Sequence, residues 1–287
     1  MGAGRAADNS RGKRLLMPEK SQTAQAEGAQ LADGAFPAWP LPPGPEAAAF
    51  ARSIARAVLA ELDMPPAVVG DAQTIISELA TNAVVHGDRE RAEVWAYLSR
   101  HPFPRLTLKV FDAAPWRGTG GAVPADATAL ITGEPASDAC GGRGLMLVNA
   151  LTEEAGGCWG VHPTRCRLGP GPVSGKAVYF TIPLPKACAA VLSPPVLGPV
   201  PERLCELAGV RGLRALVSLG AEATVVHFGA GLWVWVKDGA LLYELPGHGV
   251  VRHPPSDAVE VVEQMVRLRE EGAAGGPAPR APSWDLC

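Results

Sequence analysis

The sequence predicts an α+β fold, with a mixed, mostly antiparallel sheet that carries helices on one face, followed by a small C-terminal α+β unit. Three observations lead to this prediction. Helical and alternating apolar periods follow one another along the chain, and a Pro-rich segment interrupts them near residue 190. In addition, an apolar fraction of 47% over 287 residues is sufficient for more than one core.

Composition divides the chain into five predicted segments. Residues 1–43 and 272–287 are rich in Ala, Gly and Pro without periodicity, so we predict disordered tails. A globular unit covers 44–186, and a Pro-rich linker at 187–201 joins it to an accessory unit at 202–271. The sequence of that accessory unit does not specify its role.

The first unit begins with two predicted helices. Apolar residues recur with a period near 3.6 over 45–61 and 69–85, and Gly87 is a suitable C-terminal stop. Two alternating strands follow, AEVWAYLS and RLTLKVFD. The aperiodic stretch at 113–141 is typical of a functional lid or a disordered segment. A glycine-rich start then leads into a third helix, and CWGVHP and KAVYFTIPL are predicted to close the sheet.

The accessory unit is predicted to combine helices and short strands. Residues 202–220 have a helical pattern that Gly209 and Gly212 interrupt. The strands ATVVHF, LWVWV and ALLYEL follow, with a hairpin turn predicted at 237–239. The last helix is amphipathic, and Ser256 is its predicted N-cap.

Charge and hydropathy exclude several function classes. A net charge of −3 gives no broad attraction to nucleic acid or acidic lipid. No apolar run approaches the roughly 18 residues that a membrane span requires, and the first twenty residues lack the apolar core of a secretory signal. The six cysteines show no zinc-binding spacing. We therefore expect a cytoplasmic protein with no direct nucleic-acid partner and no membrane partner.

One predicted helix carries an unusual polar stripe. Glu78, Asn82 and His86 recur at four-residue intervals and drift slowly around the helix, along the edge of its apolar face. The Asn82 oxygen suits a hard cation such as Mg²⁺, and the Glu78 carboxylate can orient or deprotonate a group that attacks a phosphate. The alternative is a polar helix edge with a histidine favoured by the helix dipole.

Two further features suit a nucleotide. Asp112 ends the second strand, where its carboxylate can accept a hydrogen bond from an exocyclic amine; a turn-initiating aspartate is the alternative. The glycines of GGRGL precede a helix, and free N–H groups at a helix N-terminus suit phosphate oxygens. Tight packing of a loop is the alternative explanation for these glycines.

In order and spacing, these features resemble the GHKL (Bergerat-fold) ATP-binding domain, and specifically the bacterial anti-sigma-factor serine kinases. ELATNAVVHG resembles the N box of that family, DAAP its adenine-contacting box and GGRGL its glycine box. The resemblance covers about 44–186 and implies a two-layer Bergerat-type α/β sandwich.

The resemblance implies roles for individual residues. Glu78 would be the general base, Asn82 the Mg²⁺ ligand and Asp112 the acceptor for the adenine amino group. Five further residues would contact the nucleotide, namely Gly142, Arg143, Gly144, Leu145 and Lys176. For Lys176, a solvated strand start is the alternative.

The resemblance also implies a function. It is that of an ATP-dependent regulator of transcription that binds ATP with Mg²⁺ and phosphorylates a serine of a partner protein, in the sigma-factor or anti-sigma-antagonist class. A non-catalytic, nucleotide-gated protein-binding module is the alternative. The intact Glu78 favours the kinase, whereas Ala114 and Ala177 replace residues typical of the family and favour the module. A homodimer is one assembly that the resemblance allows.

Overall fold

The computed structural model describes residues 31, 35–87, 91–114, 142–185, 188 and 199–273. Within these residues the chain forms ten β-strands and five α-helices. In chain order they are β1 (Ala38–Pro40), α1 (Glu46–Glu61), α2 (Pro66–His86), β2 (Ala92–Ser99), β3 (Arg105–Asp112), α3 (Gly142–Glu154), β4 (Trp159–Arg165), β5 (Ser174–Pro183), α4 (Val200–Val210), β6 (Leu216–Leu219), β7 (Thr224–Gly229), β8 (Leu232–Lys237), β9 (Ala240–Leu245), β10 (Gly249–His253) and α5 (Ala258–Ala273).

The first five strands form one antiparallel sheet in the order β1-β2-β3-β5-β4. Helices α1, α2 and α3 cover one face of this sheet. The helices place apolar residues in the same core as alternate residues of β3, namely Leu106, Leu108 and Val110. The predicted α+β sandwich of the first unit, with an antiparallel sheet and the helices of that unit on one face, is confirmed.

The opposite face of the first sheet is also buried. Trp95 and Tyr97 of β2 and Phe111 of β3 belong to a second hydrophobic cluster, which includes residues of α4 and α5. Every residue of β2 is therefore buried. The C-terminal unit adds a third layer to the sandwich. Strand alternation predicts that a sheet has two different faces, but it does not show what covers the second one.

The C-terminal unit contains an antiparallel sheet in the order β10-β9-β8-β7-β6. Its strands are sequential neighbours, as in a meander of hairpins. Asp238 and Gly239 join β8 to β9, and both have left-handed φ angles, 50° and 64°. These angles are typical of the tightest two-residue hairpin turns. The predicted hairpin is confirmed.

The N-terminal boundary of the first unit differs from the prediction. Residues 35–43 are ordered parts of the fold rather than a tail, because β1 pairs with the edge of β2 and Phe36 and Leu41 are buried. Leu31 is also buried, and its N–H donates to the Glu61 carboxylate at 2.9 Å. A three-residue strand that ends in proline is too short to show the alternation from which a strand is predicted.

Two local predictions in the accessory unit are wrong. The predicted helix at 202–220 is shorter, since α4 ends at Val210 and residues 216–219 form β6. Gly212 has φ 65°, a left-handed conformation that a helix cannot continue. Ser256 is not an N-cap, because it lies inside a 3-10 turn, Pro255–Asp257, that precedes α5.

Several predicted segments lie outside the described residues. These are residues 1–30 of the N-terminal tail, residues 115–141 of the aperiodic stretch at 113–141, most of the Pro-rich linker at 187–201 and the end of the chain after 273. In the part of the chain that the structure describes, no helix has both the length and the apolar composition needed to cross a membrane.

Candidate functional site

The polar stripe of α2 lies along the border of the helical core. Glu78 and Asn82 are half-buried, and the buried Leu79 and Ala83 are their immediate neighbours in sequence. The helix therefore presents a carboxylate and an amide next to apolar surface, as predicted. His86 is the last residue of α2 and is exposed, so the drift of the stripe toward the apolar arc does not bury it.

The first turn of α3 lies against Glu78. Gly142, Arg143, Gly144 and Leu145 are the first four residues of this helix, whose N–H groups have no partner within the helix. A Cβ atom placed on Gly144 would lie only 2.6 Å from Oε2 of Glu78. The glycine therefore allows the carboxylate to approach the helix N-terminus, where the helix dipole favours negative charge. The structure thus brings together the predicted base and the predicted glycine box.

A second group of predicted residues lies at the end of β3. Asp112 is buried, and its Oδ1 accepts hydrogen bonds from Nζ of Lys176 at 2.6 Å and from the N–H of Ala114 at 3.0 Å. Gly87, which follows α2, packs on this carboxylate; a Cβ there would lie 2.8 Å from Cγ of Asp112 and 2.2 Å from the carbonyl oxygen of Ala83. The backbone of Gly87 is extended, a conformation that any residue can adopt. Glycine is therefore required at position 87 by the close approach and not by the backbone angles.

The Asp112–Lys176 ion pair follows from strand register. The two residues face each other across β3 and β5, and both side chains point to the helical face of the sheet. The structure therefore places Lys176 beside the predicted adenine acceptor. Sequence reasoning missed this pairing because the two residues are 64 positions apart.

The strand register also changes the interpretation of Ala177, which the resemblance identified as a replacement of a residue typical of the family. Alternation turns Ala177 to the opposite face, into the cluster beneath the C-terminal unit. Thr181 faces the same way, and its hydroxyl contacts Cys158. Lys176 is therefore the β5 residue that supports Asp112.

The two groups lie at different points along α2. Glu78 and Gly87 are nine residues apart, which corresponds to roughly 13–14 Å along a helix axis. One group presents a carboxylate, an amide and free backbone N–H groups; the other presents a buried carboxylate with a lysine. This is a suitable arrangement for an elongated ligand with a phosphate end and an amine-bearing end.

The residues present suit ATP with Mg²⁺. Asn82 can supply one neutral oxygen to the cation, which takes its remaining ligands from phosphate oxygens and water. In the described residues, no three His, Cys, Asp or Glu side chains come together as a metal cluster. The first turn of α3 offers N–H groups to phosphate oxygens, and Asp112 offers a carboxylate to the adenine amine.

The fold of the first unit is consistent with an ATP-binding domain of the GHKL class, to which part of the chain is similar. Residues 41–156 match the family model of the histidine kinase-like ATPase domain. The match begins after β1 and ends just beyond α3, so it includes Glu78, Asn82, Asp112 and the glycine box.

One similar solved structure is the histidine kinase domain from the blue-light activated histidine kinase of Erythrobacter litoralis EL346. Its sequence identity to this chain is 21%, and its TM-score is 0.29. The match covers 50% of this chain and 63% of that one, so the chain spans less than two thirds of that structure. A search of curated proteins found no match.

Proposed function

We propose that this protein is an ATP-dependent serine/threonine kinase of the anti-sigma-factor type, which phosphorylates a protein partner in the cytoplasm and thereby regulates transcription. The proposal is supported above all by the position of Glu78, whose carboxylate lies against the first turn of α3 and whose Cα is one helical turn from that of Asn82. A half-buried carboxylate at that position can accept a proton close to where a phosphate would bind.

Each residue of the site then has a separate task. Bound ATP would supply the phosphoryl group for transfer. Glu78 would accept the proton of the attacking serine hydroxyl, and Asn82 would hold the cation. The N–H groups of α3 would bind phosphate oxygens, and Asp112 would accept a hydrogen bond from the adenine amine.

A non-catalytic, nucleotide-gated binding module is the second candidate function. The Asp112–Lys176 ion pair favours it, because the lysine already occupies Oδ1 of the predicted adenine acceptor. ATP would have to share that carboxylate with Lys176. In this function ATP binds weakly, and its effect is restricted to the shape of a partner-binding surface.

Thermal unfolding tests the nucleotide site. ATP with Mg²⁺ at about 100 times its dissociation constant should stabilise the protein by about 2.7 kcal/mol and raise the melting temperature by a few degrees. Asn82→Ala should remove the part of this shift that requires Mg²⁺, while ATP alone acts equally on both proteins. An unchanged melting curve at millimolar ATP would contradict the proposed nucleotide site.

Phosphoryl transfer distinguishes the two functions. With labelled ATP and co-purifying proteins, Glu78→Gln should lower transfer by about 10²–10⁴-fold and change ATP affinity by less than about tenfold. Glu153→Gln, at an exposed position of α3, is the matched control and should transfer at the wild-type rate. Equal transfer by wild type and Glu78→Gln would exclude Glu78 as the base. ATP binding without transfer in any variant would favour the binding module.

A further inference from the structure

A polar cavity of about 190 Å³ lies between the second face of the first sheet and helix α5. It is on the opposite side of the sheet from Asp112 and Lys176, so it is separate from the proposed ATP site. Residues from both units line it, among them Tyr97, Thr107, Lys109, His162, Glu260 and Arg267. A ligand in this cavity would therefore contact the ATPase sheet and the C-terminal helix together.

The central cation of the cavity is Lys109, which is buried. Its Nζ contacts Oε2 of Glu263 at 3.1 Å and Nε2 of His162 at 3.3 Å. Because an ammonium group only donates, Nε2 of His162 is the acceptor, and the proton lies on Nδ1, which donates to the carbonyl of Pro163 at 3.0 Å. Burial, together with the charge of Lys109, lowers the pKa of His162 well below its usual value. The imidazole is therefore neutral.

The charges around the cavity leave one cation in excess. Glu263 is shared, since its other oxygen accepts from Nε of Arg211 at 2.7 Å. Arg105 pairs with Glu260 at 3.5 Å, and Arg267 pairs with Glu271 at 2.6 Å. In these ion pairs of the described residues, in and beside the cavity lining, four cations share three carboxylates. The unbalanced positive charge belongs to the Lys109–Glu263–Arg211 group.

The cavity wall also contains a hydroxyl without a partner. Thr107 is 2% exposed, and its Oγ1 makes no hydrogen bond to any described residue. Buried polar groups are nearly always paired, so an unpaired hydroxyl in a cavity wall indicates a missing partner. Two phenols line the same space: burial raises the pKa of Tyr97 and of Tyr179, so both stay protonated, and Tyr97 hydrogen-bonds to Glu260.

We propose that this cavity binds a small organic anion that carries a carboxylate or a phosphate group. The anion balances the excess charge beside Lys109, and Arg267 contacts it at the cavity mouth, where this arginine is one third exposed. The hydroxyl of Thr107 donates to it. The volume is below the roughly 300–1,000 Å³ of sites for drug-sized ligands, so the occupant is smaller than a nucleotide. Because it touches both units, the ligand strengthens the docking of α5 on the ATPase sheet.

Binding of inorganic phosphate and of succinate to the full chain tests this site. The two probes distinguish a phosphate from a carboxylate ligand, and sodium chloride at equal ionic strength controls for general salt effects. We expect a saturable rise in melting temperature with at least one probe. The rise should persist in Asn82→Ala, which disables the proposed metal position of the ATP site.

Two variants and one matched control identify the cavity as the site. Thr107→Val keeps the shape of the side chain and should weaken the anion about threefold to tenfold. Arg267→Gln should weaken it by about tenfold or more. Thr152→Val is the control, because Thr152 is also buried with an unpartnered hydroxyl but lies on α3, outside the cavity lining. It should bind as the wild type does. The absence of a saturable response to either probe, or wild-type affinity in both cavity variants, would overturn the proposal.

Discussion

Nζ of Lys109 on β3 lies 3.1 Å from Oε2 of Glu263 on α5, and this ion pair crosses the boundary between the ATPase sheet and the C-terminal unit. The same carboxylate binds Arg211, whose guanidinium stacks over Trp95 of β2 at 4.5 Å from the ring centroid. All three charged side chains are almost completely buried. The C-terminal unit is thus held by apolar packing and by one carboxylate that pairs with a lysine of the ATPase sheet and with an arginine of the C-terminal unit.

Removal of this carboxylate should be strongly destabilising. Glu263→Gln would leave two buried cations without a counter-charge, and loss of one partner from a buried pair costs about 3–5 kcal/mol. Urea denaturation should show a decrease of this size in the free energy of unfolding. Glu222→Gln is the control, because its pair with Lys237 is exposed and should contribute little. Equal stability of wild type and Glu263→Gln would show that the buried pair does not hold the units together.

Stability should decrease as the pH falls, in two stages. The pKa of His162 is lowered by burial, so below about pH 6.5 the unfolded chain takes up a proton that the folded chain does not, and stability falls by up to about 1.4 kcal/mol per pH unit. Burial alone would raise the pKa of Glu263, but Arg211 and Lys109 lower it from 4.5 to about 2. The stabilisation that ionised Glu263 gives the folded protein is complete above about pH 4.5 and is lost as the pH falls from that value to about 2.

The first stage can be assigned with one variant. His162→Gln retains an acceptor near the position of Nε2 for Lys109 but does not titrate. Its unfolding free energy should therefore fall less steeply between about pH 6.5 and 5 than that of the wild type. His86→Gln, at an exposed position, is the control and should keep the wild-type slope. Identical slopes in all three proteins would exclude His162 as the group responsible.

A fragment that ends near residue 190 should not form a soluble domain. It retains the candidate ATP site but lacks α4 and α5, so Trp95, Tyr97 and Phe111 would form an exposed apolar patch on the sheet. We expect aggregation, or strong binding of a hydrophobic dye, whereas a chain that ends at Ala273 should behave as the full protein does. A soluble, monomeric fragment that binds ATP would show instead that the linker predicted from composition separates two autonomous domains.

In the proposed kinase, Gly144 should be more important for phosphoryl transfer than for folding. In Gly144→Ala the new methyl group would meet Oε2 of Glu78, the end of a flexible side chain, so the carboxylate should rotate away and the helix should persist. We expect phosphoryl transfer to fall by about 10²-fold or more, as for a displaced base, with little change in the circular dichroism spectrum. Gly70→Ala on α2 is the control, since no atom lies within 4 Å of its Cβ position. It should increase stability by about 0.5–1 kcal/mol and leave transfer unchanged.

Much of the fold could be predicted from the sequence because it depends on short-range periodicity. The apolar spacing of α2 determines that Glu78 and Asn82 share the edge of a buried face, and the alternation of β3 determines that Lys109 points away from Leu108 and Val110. Both conclusions require only the residues within a few turns or pleats, and the structure agrees with both.

Only the tertiary structure decided which residues meet across those faces. Alternation shows that Lys109 and Phe111 lie on the second face of the sheet, but burial of that face depends on α5, about 150 positions later in the chain. Asp112 likewise meets Lys176 through the register of β3 and β5. Local pattern determines the direction of a side chain because it is a property of the backbone repeat. Its partner is decided by the free energy of burying distant segments together, which no short segment contains.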